Sequence, residues 1–265
     1  MSYTLGFIGC GNMGGALVTA TAKVSCGKEI AVCDFDKTKV EKYVKSVGAV
    51  AASAKEIAKS ARFVVLGVKP QMMQETVAEF ADLLTARTDV TVITMAAGLS
   101  ISSIQSFIGK EVPVIRIMPN TPAMLGAGMI LYACSHVSEE TEQEFLRLFA
   151  KAGKLDKLSE DKIDAASAIS GCGPAFVYAF AEALADGGVE CGLPRDKAAL
   201  YTAQTLLGAA QMLLEYGHPG DLKDAVCSPG GTTIAGVHAL EKGGLRNAAM
   251  DAVTAAHKRT LELKK

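Results

Sequence analysis

Phe7-Ile8-Gly9-Cys10-Gly11-Asn12-Met13-Gly14-Gly15-Ala16-Leu17 decides the fold. It leaves an apolar run, Leu5 to Ile8, and enters a helical pattern carried by Ala16, Leu17 and Ala20. Strand, glycine turn and helix in that order are what a dinucleotide pyrophosphate needs. Gly9 lets the chain turn tightly, Gly11 lets the backbone approach the phosphates, and Gly14 lets helix and strand pack closely. The helix start adds free N–H groups and a positive dipole end for the anion. Three spaced glycines alone also suit a plain structural turn. The flanking strand and helix favour the dinucleotide.

Outward from this stretch, strand-like segments fall at 4–8, 29–33, 63–68, 90–95, 112–117 and 129–133, with a last short one near 154–158. Helical patterns lie between most of them, at 13–24, 36–47, 53–60, 70–85, 100–108 and 138–152. Several strands are apolar throughout, as expected where helices cover both sheet faces. After about residue 158 only helical stretches follow, at 160–169, 174–190, 195–216, 219–226, 232–242 and 245–264. Pro174 and Pro194 stand where a first helical turn accepts proline. The expected class is α/β. A doubly wound Rossmann-like domain spans 1–158, and an all-helical dimerisation and substrate domain spans 159–265. The helix at 195–216 is apolar nearly all round, and such a helix is a buried one. About a hundred residues offer little to surround it, so a second subunit is expected to do so in an interleaved homodimer. The central helix of a monomeric bundle is the plainer alternative.

Bulk composition narrows the partners. Net charge is −1 with no basic block, which speaks against nucleic acid or an anionic membrane. The uncharged stretch 117–138 is broken by Pro119, Asn120, Pro122, Gly126 and Gly128, so it reads as no membrane span. Gly9 and Gly11 interrupt the apolar start, so no signal peptide is expected. Seven cysteines, an odd number without a C-x-x-C pair, suit reduced thiols in the cytoplasm. The four histidines show no metal-ligand spacing, and no metal is expected.

Asp34 follows the second strand, 20 residues after Gly14. An acid there accepts hydrogen bonds from ribose hydroxyls and repels a 2′-phosphate. Lys37 and Lys39 partly offset that repulsion, which leaves NADPH and NADH both open. Asp34 or Asp36 could instead cap the next helix, with Asp36 the better candidate. Three more loops follow strand ends, where ligands bind in open α/β sheets. They are Gly67-Val68-Lys69-Pro70, Met95-Ala96-Ala97-Gly98 and Met118-Pro119-Asn120-Thr121-Pro122. Each is also a plausible tight turn. The helical part has two glycine-rich interruptions, Ser170-Gly171-Cys172-Gly173-Pro174-Ala175 and Ser228-Pro229-Gly230-Gly231-Thr232-Thr233. The second is a candidate nest for a small carboxylate, with Thr233 or Ser228 able to bond a reacting nitrogen or oxygen. A simple helix start is its bland reading.

Taken together, these motifs resemble pyrroline-5-carboxylate reductases over essentially the whole chain. Further matching elements are Glu182-Ala183-Leu184-Ala185-Asp186-Gly187-Gly188-Val189, Gly192-Leu193-Pro194, and Ile234-Ala235-Gly236 with Leu240-Glu241 behind it. The resemblance implies reduction of the cyclic imine Δ1-pyrroline-5-carboxylate to L-proline with NADPH or NADH. It implies a helix-interleaved dimer, often built further into a decamer. By the same resemblance the coenzyme meets Ile8, Gly9, Cys10, Gly11, Asn12, Met13, Asp34, Gly67, Val68, Lys69, Pro70, Met95, Ala96, Ala97 and Asn120. The substrate meets Glu160, Ser228, Gly230, Gly231, Thr232 and Thr233, with Thr233 the catalytic hydroxyl. Asp34 departs from relatives with small hydroxyl residues there, and Ala54 and Ala225 fall where some relatives use Asn. β-Hydroxyacid dehydrogenases share the layout, but they follow the glycine-rich helix start with a Lys and an Asn. Pro174 to Ala181 contains neither. A nucleotide sensor without turnover is the remaining rival.

Overall fold

The computed structural model describes residues 2–263. Its strands are β1 Tyr3–Ile8, β2 Ile30–Cys33, β3 Val50–Ala51, β4 Ala61–Leu66, β5 Thr91–Thr94, β6 Val114–Met118, β7 Gly128–Ser135 and β8 Gly153–Lys157. The helices around them are α1 Asn12–Thr21, α2 Lys37–Val47, α3 Ala54–Ser60, α4 Met73–Ala78, α5 Ala81–Thr85, α6 Ile101–Ile108, α7 Glu139–Phe149 and α8 Glu160–Ser170. One sheet runs β3-β2-β1-β4-β5-β6-β7-β8. Every pair is parallel except β6 with β7.

The apolar strands do what their sequence requires. In β4, Phe63 and Val65 enter one core layer while Val64 and Leu66 enter the other, and all four are fully buried. Successive side chains point to opposite faces, so a strand covered on both sides must be apolar throughout. Each such side chain contributes about 1.5–3 kcal/mol on burial. Asp36 caps α2 by accepting the Thr38 N–H, and Ser53 with Glu56 forms a reciprocal capping box on α3.

Two local features depart from the sequence expectation, and a third lies outside it. The two-residue edge strand β3 carries too little pattern to be read. The segment 70–85 is not one helix. It starts as a 3-10 turn, Pro70–Met72, and breaks again at Phe80, whose backbone leaves the helical region (φ −141°, ψ 12°). Phe80 is buried beside Val77 and Leu84 in the core layer, and that burial outweighs helical continuity. Lastly, β7 runs antiparallel to β6. Only the short 3-10 turn Thr121–Leu125 joins that region, and a parallel partner needs a crossover of about a dozen residues.

The remaining helices are α9 Gly173–Glu190, α10 Arg195–Tyr216, α11 Pro219–Ala225, α12 Thr232–Lys242 and α13 Leu245–Glu262. Contacts divide the chain into two compact units. One reaches from the start through Cys172 and takes back the chain from Ala256, and the other is Gly173–Ala255. By contacts the first unit keeps α8, which is fastened to the sheet. In the second unit α10 buries only Ala198, while Leu200, Leu207, Met212 and Leu214 stand exposed. Within its own chain α10 is therefore not the enclosed centre of a bundle.

Candidate active site

Register brings four loops into one row. Ile8 lies opposite both Cys33 and Leu66, and Leu66 lies opposite Thr94. The chain therefore leaves β1 at Gly9, β2 at Asp34, β4 at Gly67 and β5 at Met95 along a single edge. The strand order turns about β1, with β2 on one side and β4 on the other, which is where open α/β sheets bind ligands. Two backbone bonds stitch the row. The Gly9 N–H donates to the Cys33 carbonyl, and the Gly67 N–H donates to the Ile8 carbonyl, both at 2.8 Å.

The glycines have separate tasks. Gly9 sits at φ +99°, and a Cβ there would lie 2.5 Å from the Gly67 carbonyl carbon. A Cβ on Gly14 would lie 2.3 Å from the Gly9 oxygen. At Gly11 a Cβ would meet nothing within 4 Å. That open space faces the start of α1, whose cap is Gly11, with no side-chain cap bond and no acid in the first turn. A cradle without side chains at an uncapped helix start fits a pyrophosphate.

Asp34 is held beside this cradle. Its Oδ2 accepts the Cys10 N–H at 2.7 Å, and its Oδ1 accepts the Asp36 N–H at 2.9 Å. Lys39 Nζ stands 3.7 Å from Oδ1. A cavity of about 420 Å³ opens there, lined by Asp34, Lys37, Val40, Ala52 and Glu56 among others. Burial first, and the Asp34 charge second, push the Cys10 thiol up to about 12. Cys10 is thus a packed neutral thiol rather than a nucleophile. Lys69, Pro70 and Ala97 are exposed on the same edge, Val68 and Met95 are half-buried, and Ala96 is buried.

The sequence reading missed Arg116. It is 1% exposed, with Nη2 2.7 Å from Asp164 Oδ1 and Nη1 3.2 Å from Glu160 Oε1. That Glu160 oxygen also accepts the Ile101 N–H at 2.7 Å. Asn120 is similarly committed to the framework. Its Nδ2 donates to the Ser170 carbonyl and its Oδ1 accepts the Met129 N–H, both at 2.9 Å. Arg116 and Asn120 together fasten α8 to β6 and β7. The signal was present: one cation inside an apolar strand, and two carboxylates four residues apart on one helix face. Arg116→Met is expected to cost about 3–5 kcal/mol, because it removes the buried cation that pairs with buried Asp164 and half-buried Glu160. Urea denaturation measures this, and a loss below about 1 kcal/mol counts against the clamp.

The second glycine-rich start is described within its own unit. Gly230 has φ +70°, and the Gly231 N–H donates to the Ser228 carbonyl at 3.0 Å. Gly231 caps α12 without a side-chain bond, and no acid occupies the first turn. Thr232 and Thr233 are exposed there. Their first-turn amides are open to a small carboxylate.

Comparison with known proteins agrees with both halves. The family model described as pyrroline-5-carboxylate reductase dimerisation matches residues 160–263. The model described as NADP oxidoreductase, coenzyme F420-dependent, matches residues 4–98. The chain is 42% identical to a pyrroline-5-carboxylate reductase of Pisum sativum, covering 99% of this chain and 96% of that one. It is similar to the solved pyrroline-5-carboxylate reductase of Coxiella burnetii, with TM-score 0.92, 32% identity and 100% of each chain covered. It is also similar to the pyrroline carboxylate reductase of Plasmodium falciparum, solved with NADP bound, with TM-score 0.88, 30% identity and 99% and 98% covered. An α/β sheet with a coenzyme cradle at its carboxyl edge, a helical region matched as dimerising, and likeness along the full length lead to one assignment: the chain belongs to the pyrroline-5-carboxylate reductase family.

Proposed function

We propose that this chain reduces the C=N bond of Δ1-pyrroline-5-carboxylate to give L-proline, using NAD(P)H. The observation that carries this reading is a pair of uncapped, acid-free helix starts in a chain of full family length. One begins α1 behind Gly9 and Gly11, and the other begins α12 behind Gly230 and Gly231. The first suits a pyrophosphate and the second a small carboxylate. The coenzyme supplies a hydride to C5 of the ring. As that bond forms, the C=N pair moves onto nitrogen, and the protonated imine becomes a secondary amine.

The chain's own part is holding and orienting. Ile8 to Met13, Asp34, Gly67 to Pro70 and Met95 to Ala97 hold the coenzyme. Asn120 and Glu160 shape the surrounding frame. Amides at Gly231 to Thr233, with Ser228 and Gly230 setting the turn, hold the substrate carboxylate. Thr233 bonds the imine nitrogen and keeps its proton in place. A protonated imine is already a good hydride acceptor, so no strong acid is needed. Positioning of this kind is worth roughly 7–11 kcal/mol. The test is loss of reduced-coenzyme absorbance on adding pyrroline-5-carboxylate. Coenzyme binding with no oxidation would favour a sensor and sink the reading.

The apolar helical faces support two subunits with interleaved helices. Large exposed apolar patches mark interaction surfaces. The stretch Glu160–Glu190 is long and apolar enough to cross a membrane by length and composition, and its most apolar window is mostly exposed. It lies inside the region matched as dimerising, which favours a protein partner over lipid. Light scattering at micromolar concentration is expected to give a dimer or a decamer built from dimers. A monomer overturns this. Seven free cysteines support a reducing compartment, the cytoplasm.

A further inference from the structure

We propose that Asp34 makes this chain select the coenzyme lacking a 2′-phosphate, so that NADH binds better than NADPH. The inference rests on the dinucleotide reading of the glycine cradle and goes beyond it. Three observations carry it.

First, the carboxylate is fixed before any ligand arrives. Its side chain is 12% exposed, and it is held by the Cys10 N–H at 2.7 Å and the Asp36 N–H at 2.9 Å. Each oxygen thereby keeps an acceptor site for a hydroxyl. A ribose with free 2′- and 3′-hydroxyls can donate to both. A 2′-phosphate removes one donor and adds about 1.5 to 2 negative charges.

Second, the nearest cation is already balanced. Lys39 stands 3.7 Å from Asp34 and 3.9 Å from Asp36, so two carboxylates share one ammonium. A phosphate arriving there meets a net negative group.

Third, the adjoining cavity repeats that sign. Its charged lining is Asp34, Glu41 and Glu56 against Lys37 alone, and no arginine is among the residues around it. Glu56 is further fixed by the Ser53 N–H and hydroxyl, both at 2.7 Å. Arginine is the residue that holds phosphate through two parallel bonds. Like charges about 4 Å apart, near a protein surface, are enough to separate the two coenzymes by about tenfold or more.

The experiment titrates full-length protein with NADH and with NADPH, following nicotinamide fluorescence in the absence of any imine. The expected result is NADH tighter by about tenfold or more. Asp34→Asn keeps an acceptor for the Cys10 N–H and removes the charge, and Asp34→Ser also frees space. Either variant is expected to weaken NADH, strengthen NADPH and move their ratio toward NADPH by about tenfold or more. Wild-type protein that binds NADPH as tightly as NADH overturns the proposal. So do variants that shift both coenzymes equally. Binding of neither coenzyme overturns the dinucleotide reading as well. Binding without later imine reduction touches only the proposed reaction.

Discussion

Gly9→Ala and Gly11→Ala will behave as opposites although both alter one loop. At Gly9 the added methyl meets the Gly67 and Val68 backbone at 2.5–2.8 Å, at a φ of +99° that L-residues avoid. Backbone strain of about 1–3 kcal/mol and overpacking of about 1–3 kcal/mol combine there. Neither β1 nor β4 can retreat, since the Gly67 N–H is bonded to the Ile8 carbonyl. Gly9→Ala is therefore expected to lose about 2–6 kcal/mol of stability in urea denaturation. Gly11 has φ −64° and no neighbour within 4 Å of a built Cβ. Gly11→Ala is expected to fold with nearly unchanged stability yet bind reduced coenzyme much more weakly. A Gly11→Ala protein with wild-type coenzyme affinity would show that this space is not where phosphate lies.

Thr233→Ala is expected to lower kcat, by about 10²–10⁴ if the hydroxyl delivers the imine proton and by less if it only orients the imine. Thr233 stands in the first turn of α12, a helix whose start carries no side-chain cap and no acid. Its hydroxyl is exposed in the chain, so removing it opens no cavity in the core. A stability loss is therefore not the expected cause of a slower enzyme. Thr233→Ser restores the hydroxyl and should recover most of the rate, while KM for the imine changes less than kcat in the Ala variant. Wild-type turnover in Thr233→Ala removes the residue from the mechanism.

What could be read from residues alone followed from how local the controlling physics was. Gly9 and Gly14 announce their turn because a Cβ there would strike backbone, and Gly11 because the space beside it is left free of side chains. The apolar strands announce themselves because both faces are covered. Asp36 as cap of α2 was legible from its position just before a helical pattern. Arg116 stands out as a lone cation in an apolar strand, but its pairing was not legible, because Glu160 and Asp164 lie more than 40 positions away and meet it only after the sheet forms. Asn120 announced a polar loop but not its two bonds to Met129 and Ser170. The break at Phe80 was hidden for the same reason, since the core that captures its ring is assembled from distant segments. The antiparallel turn of β7 depended on connection length more than on any residue.

If α10 is covered by a copy as proposed, its bare apolar faces tie the persistence of this protein to its own abundance. In the proposed dimer, a copy would cover the apolar helical surface that a lone chain leaves exposed. Mass action then stabilises what sequence leaves uncovered, and scarcity withdraws that support. At low expression the solitary chain is the form that chaperones and proteases encounter.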